Sequence, residues 1–138
     1  LMKEIHIFID LCATGTKQER NDKINRLIQG VYSIAMFMIE SGIPQAYIWY
    51  DKVNGVIQEY SVEQEEELYW MFQELFRSKT TTEESELMEA YVDWGKGRLL
   101  ESALYLTVAD HESLDSGNLV RDRLEVMDLR GDVIEDQE

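Results

Sequence analysis

A chain of 138 residues is long enough to bury one hydrophobic core and too short for two. Its net charge of −15 and pI near 4.4 repel phosphate backbones, which argues against a nucleic-acid partner unless a metal or a basic patch offsets that field. No apolar run approaches the roughly 20 residues of a membrane span; the longest candidate, Val31 to Ile39, is broken by Tyr32 and Ser33.

Ile5-His6-Ile7-Phe8-Ile9 opens the chain as a strand buried on both faces, the pattern of a parallel sheet. Thr14 to Arg20 reads as a polar turn. A helix is predicted from about Asn21 to Ser41, with Ile24, Leu27, Ile28, Val31, Ala35, Met38 and Ile39 at three- and four-residue steps. Asn21 or Asp22 would cap it, and Gly42 with Pro44 would end it. Ala46 to Tyr50 and Val56 to Tyr60 are strands joined by the Asn54-Gly55 turn, a hairpin signal.

A second helix is expected from Ser61, in capping-box spacing with Gln64, carrying Leu68, Phe72, Leu75 and Phe76 on one face. A third is expected from about Glu83 to Trp94, headed by Thr81 and Glu84 and stopped by Gly95-Lys96-Gly97. Ala103 to Val108 and Leu124 to Leu129 complete the strands, and the acidic end after Gly131 is expected to fray. The segment Asp110 to Arg123 is too short for a full crossover helix and would hold at most a turn or two near Asn118 to Asp122. Trp49, Tyr50 and Trp70 are expected in the core.

The order β-α-β-β-α-α-β-β implies one α/β domain over residues 1–138. It would be three-layered, with a mostly parallel sheet flanked by helices, Rossmann-like and incomplete at its C-terminal end. The single cysteine excludes an internal disulfide and fits a reducing, cytoplasmic setting. The start is strand-like without a cleavage pattern. Leu1 ahead of Met2 suits a fragment, so the expected location is the cytoplasm or the cytosolic portion of a membrane-anchored protein, with no membrane contact within the fragment.

Asp10 falls at the carboxyl end of the first strand, where open α/β sheets place their ligand sites. Cys12 and Thr14 follow at alternate positions, and Asp110 occupies the end of the fourth strand. Asp-x-Cys-x-Thr resembles the Asp-x-Ser-x-Ser start of the metal-ion-dependent adhesion site of von Willebrand factor A domains. That resemblance implies metal ligands at Asp10, Thr14 and Asp110, with one of Thr80, Thr81 or Thr82 supplying a further oxygen. Cys12 departs from it, because a thiol is too soft for Mg²⁺. A degenerate site and no cofactor beyond weakly held Mg²⁺ follow.

His6 reads as a buried strand residue, and His111 stands at the rim of the site. Two histidines and one cysteine make no zinc site of the usual spacing without carboxylates. Gly95-Lys96-Gly97 lacks the P-loop frame, and Glu63 to Glu67 reads as a solvated helix face.

Ile5 to about Phe76 resembles the C-terminal region of the domain-of-unknown-function 58 family, a von Willebrand factor A-like fold. The match rests on Ile7-Phe8-Ile9-Asp10-Leu11, the charged loop and long helix after it, and Ser41-Gly42-Ile43-Pro44-Gln45-Ala46 leading into the second strand. Members are often encoded with MoxR-type AAA ATPases and often carry membrane-spanning segments upstream. The resemblance implies a non-enzymatic protein–protein interaction module with a protein partner, of which a MoxR-type ATPase is one candidate. The alternative is a Mg²⁺- or Mn²⁺-dependent hydrolase or nuclease of PIN or NYN type, using the strand-end acids Asp10, Asp51, Asp110 and Asp128.

Overall fold

The computed structural model describes residues 3–114 and 119–131. The elements in chain order are β1 (Ile5–Ile9), α1 (Lys17–Glu40), β2 (Gln45–Asp51), β3 (Val56–Val62), α2 (Glu65–Arg77), α3 (Leu87–Gly95), β4 (Leu100–Thr107) and β5 (Val120–Asp128). The strands form one sheet in the order β3-β2-β1-β4-β5. Only the β2–β3 hairpin is antiparallel; β1 runs parallel to both β2 and β4, and β4 parallel to β5.

The central strands β1 and β2 are buried on both faces over most of their length, as their apolar runs require. Ile7 and Ile9 of β1 point into one core with Leu27, Val31 and Ala35 of α1 and Leu68, Met71 and Leu75 of α2. Phe8, between them, points to the other side and meets Leu87, Met88 and Tyr91 of α3. Its ring stands edge-on to that of Tyr91, with centroids 5.0 Å apart, a preferred aromatic geometry. Helices therefore cover both sides of the sheet, giving three layers. Gln45, wholly buried, ties the sheet to α1 by donating from Nε2 to the Ala35 carbonyl at 3.2 Å.

Several boundaries differ from the sequence expectation. The first helix starts at Lys17 rather than Asn21, because Thr16 and Glu19 form the capping box: Glu19 N donates to Thr16 Oγ1 at 3.2 Å and Thr16 N to Glu19 Oε1 at 2.8 Å. Ser61 caps nothing. It stays in β3 opposite Ala46, and the helix waits for Glu65, where Glu67 accepts from the amides of Glu63 and Gln64. The third helix starts at Leu87, because Thr81 is held elsewhere by backbone pairing. Of the turn expected near Asn118 to Asp122, Asn118 lies outside the described residues, and the chain is already strand from Val120.

β5 lies parallel beside β4 although the connection 108–119 has only about the dozen residues such a crossover needs. Of the expected core aromatics, Trp49 is fully buried, stacks on Tyr60 and donates from Nε1 to Ser78 Oγ at 2.9 Å. Trp70 is exposed instead. Leu27 sits at the centre of the α1–sheet contact with no solvent exposure. Leu27→Ala should cost about 2–5 kcal/mol, read as a lower urea midpoint at unchanged m-value.

Candidate functional site

The carboxyl ends of β1 and β4 open onto a cleft of about 930 Å³. Two loops build its floor. The backbone after β1 pairs with the loop between α2 and α3: Thr81 N donates to Leu11 O at 2.7 Å, and Ala13 N to Thr81 O at 3.0 Å. This pairing fixes Cys12 beside Thr81 and brings Ser85 over the end of β1. Met88, Val92 and Leu114 form apolar walls, while Glu83, Glu84, Glu89 and Asp110 make the surroundings acidic.

Asp10 is the buried charge of this end. Its amide donates to Leu106 O at 2.9 Å, extending the β1–β4 ladder, and its Oδ2 accepts from Thr107 Oγ1 at 3.0 Å. The hydroxyls of Ser85 and Tyr105, 3.3 Å from each other, lie beside the carboxyl group and favour its charged form. Burial raises the pKa of Asp10 above the ordinary carboxylate range, and the three hydroxyls and His111 offset only part of that rise. The Tyr105 phenol is pushed up by burial and by the neighbouring Asp10 charge.

The other residues expected at this site take different roles. Thr14 and Asp110 line the same cleft as Asp10, but both are exposed. The Thr14 carbonyl accepts from Lys23 Nζ at 3.0 Å, and Asp110 Oδ1 accepts from the Glu112 amide at 3.0 Å, closing its own turn. Cys12 is buried with Sγ 3.9 Å from the Glu83 carbonyl, and burial raises its thiol pKa. Thr80 and Thr82 face solvent, whereas Thr81 Oγ1 donates to Glu84 O at 3.3 Å. His111 Nδ1 lies 3.3 Å from Ala109 O and 3.8 Å from Asp128 Oδ2. Asp128 is clasped by Arg130, and Asp51 caps the hairpin turn through Val53 N, Asn54 N and Asn54 Nδ2.

Among the described residues, the close grouping of metal-ligand types is not here but at the opposite end of the strands, where Glu4, His6 and Glu59 converge. A protein cation already occupies that grouping. Arg98 donates from Nη1 to Glu59 Oε1 at 2.8 Å and from Nη2 to Glu59 Oε2 at 3.2 Å, and Nη2 lies 3.1 Å from His6 Nε2. Left-handed backbone at Lys96 (φ 47°) and Gly97 (φ 92°) ends α3 and turns Arg98 back over the sheet, with its guanidinium 5.8 Å from the Trp94 ring centroid. The sequence carried no local signal for this hub, since its members come from the start of the chain up to β1, from β3 and from the loop after α3. Burial and the Arg98 charge lower the His6 pKa against the opposing pull of Glu59 and Glu4.

No family model, no curated protein and no solved structure matches this chain.

Two pH dependences follow. Asp10 has a folded pKa above its unfolded value, so the protonated carboxyl is the better-tolerated form, and that advantage is lost as pH rises through the folded pKa. Asp10→Asn should therefore raise the thermal midpoint by a few degrees at pH 7, on the scale of about 1 kcal/mol, with the gain shrinking as the pH approaches 4. His6 has the opposite sign: its folded pKa is depressed, so the neutral ring's contribution is present above about pH 6.5 and lost on acidification. Replacing it in His6→Gln should flatten the stability loss below that pH, measured by urea unfolding across the range.

Proposed function

We propose that this chain is a protein–protein interaction module of von Willebrand factor A-like type. It meets its partner at the strand-end cleft, and the adhesion-site motif there is degenerate. The state of Asp10 carries this reading. Its carboxylate is enclosed by the hydroxyls of Thr107, Ser85 and Tyr105 rather than standing in an open ring of ligand oxygens. Of the residues that would complete such a ring, Asp110 accepts from the Glu112 amide in its own turn and Thr81 donates to the Glu84 carbonyl. A hard cation would also meet the Cys12 sulfur, a poor ligand for Mg²⁺ and one that burial keeps protonated.

The chemistry of the cleft also supports binding over catalysis. Its thiol is buried and protonated, and His111 makes its ring contacts with the Ala109 carbonyl and Asp128. The hydroxyls at this end point to the Asp10 carboxyl group, and His111 is turned to the Ala109 carbonyl and Asp128 rather than to any of them. The strand-end acids of the hydrolase alternative do not converge: Asp51 and Asp110 cap turns and Asp128 is paired with Arg130. Apolar walls with acidic surroundings suit a partner loop that offers an apolar side chain flanked by positive charge. The resemblance to the domain-of-unknown-function 58 family suggests a MoxR-type AAA ATPase as the partner class.

Thermal unfolding in millimolar Mg²⁺ or Mn²⁺ against EDTA tests the reading. A degenerate site gives no measurable shift. A cation at about 100 times its dissociation constant would add roughly 2.7 kcal/mol, and a rise of several degrees that Asp10→Ala abolishes would restore a working metal centre. Cleavage of RNA in Mn²⁺ by the wild type, absent in Asp10→Ala, would favour the hydrolase instead.

A further inference from the structure

The second helix carries more apolar surface than the sheet covers. Leu68, Met71 and Leu75 face the core, yet Phe76 remains 65 % exposed and Tyr69 54 % exposed on one flank. Tyr69, Phe72 and Phe76 recur at steps of three and four residues along α2, with Phe72 buried at the core edge and 8 % exposed, and Tyr69 and Phe76 standing out on either side of it. The rings are in register: Phe72 and Phe76 stack with centroids 5.5 Å apart, and Tyr32 of α1, 44 % exposed, lies 6.4 Å from Phe72. Single exposed aromatics are ordinary, but a contiguous ladder shared by two helices is the kind of patch that marks an interaction surface.

The charge around the ladder selects the occupant. Glu65 and Glu66, both exposed, open α2 at the Tyr69 end, and Arg77 at the other end is paired with Glu74 at 2.8 Å. A second copy of the chain would meet a net charge of −15 on each molecule. A basic partner gains from the same field.

We propose that Tyr69, Phe76 and Tyr32, gathered over the buried ring of Phe72, form a docking surface for an amphipathic helix of a partner protein that bears lysine or arginine beside its apolar stripe. This is the helix-in-groove mode of recognition. The surface lies on the face of the sheet opposite α3, so the proposal does not rest on the function assigned to the strand-end cleft.

The test is fluorescence anisotropy with a labelled synthetic helix of leucine and lysine, its leucines at three- and four-residue steps, at about 0.15 M salt. Wild-type protein should bind it, and a leucine–glutamate helix of identical pattern should not. The double variant Tyr69→Ser, Phe76→Ser should weaken binding at least about tenfold with an unchanged thermal midpoint, since both rings are mostly in solvent. The variant Glu65→Lys, Glu66→Lys leaves the rings intact and should weaken binding as well. Equal binding by the ring variant and wild type would overturn the docking surface, leaving only attraction to a strongly acidic protein. Sedimentation of the wild type as a dimer that the ring variant dissociates would overturn the partner in favour of a second copy.

Discussion

The architecture depends on the burial of β1 from both sides. Its residues alternate between two cores, Ile7 and Ile9 toward α1 and α2, Phe8 toward α3, and both of its edges are paired, to β2 and to β4. A strand so placed has no solvent-facing side, so a one-residue slip would exchange every contact on each face. That constraint sets the register of the sheet's centre. It also delivers Asp10 to the carboxyl end in one orientation, with its amide still bonded to β4 through Leu106.

The loop after β1 converts that position into a site. Backbone pairing of Leu11 and Ala13 with Thr81 draws the α2–α3 connection across the sheet end, and Ser85 arrives next to Tyr105 and Asp10 as a consequence. The carboxylate is thereby satisfied by neutral hydroxyls at the cost of desolvation, which its raised pKa records. At the other end of the same strands the polarity is reversed. There a guanidinium closes the cluster of Glu59 and His6, so the two ends of one face are held by opposite devices.

The strong net charge is spread unevenly with respect to these features. Acid surrounds the strand-end cleft and heads the helix that carries the exposed aromatic ladder, while Arg98 and Arg130 are committed to internal partners. Two surfaces on different faces of the sheet thus combine apolar area with negative potential, and both proposed interactions draw on that field.

Much of the fold was legible in the sequence because burial leaves a periodic trace. The two-sided strand at Ile5–Ile9, the long helix with Leu27, Val31 and Ala35, the Asn54-Gly55 hairpin and the position of Asp10 all follow from side-chain spacing and turn chemistry. Helix starts were less legible, since capping-box spacing occurs at Thr16–Glu19, Ser61–Gln64 and Thr81–Glu84, and only packing decides which one caps. Tertiary structure alone decided the rest. It placed β5 parallel to β4, turned Asp110 into its own loop, surrounded Asp10 with hydroxyls from β4 and the α2–α3 loop, and gathered Glu4, His6, Glu59 and Arg98 into one hub. The reason is physical: periodicity reports which side of an element is buried, whereas the partner of a buried polar group is set by strand order and register, which join residues far apart in the chain.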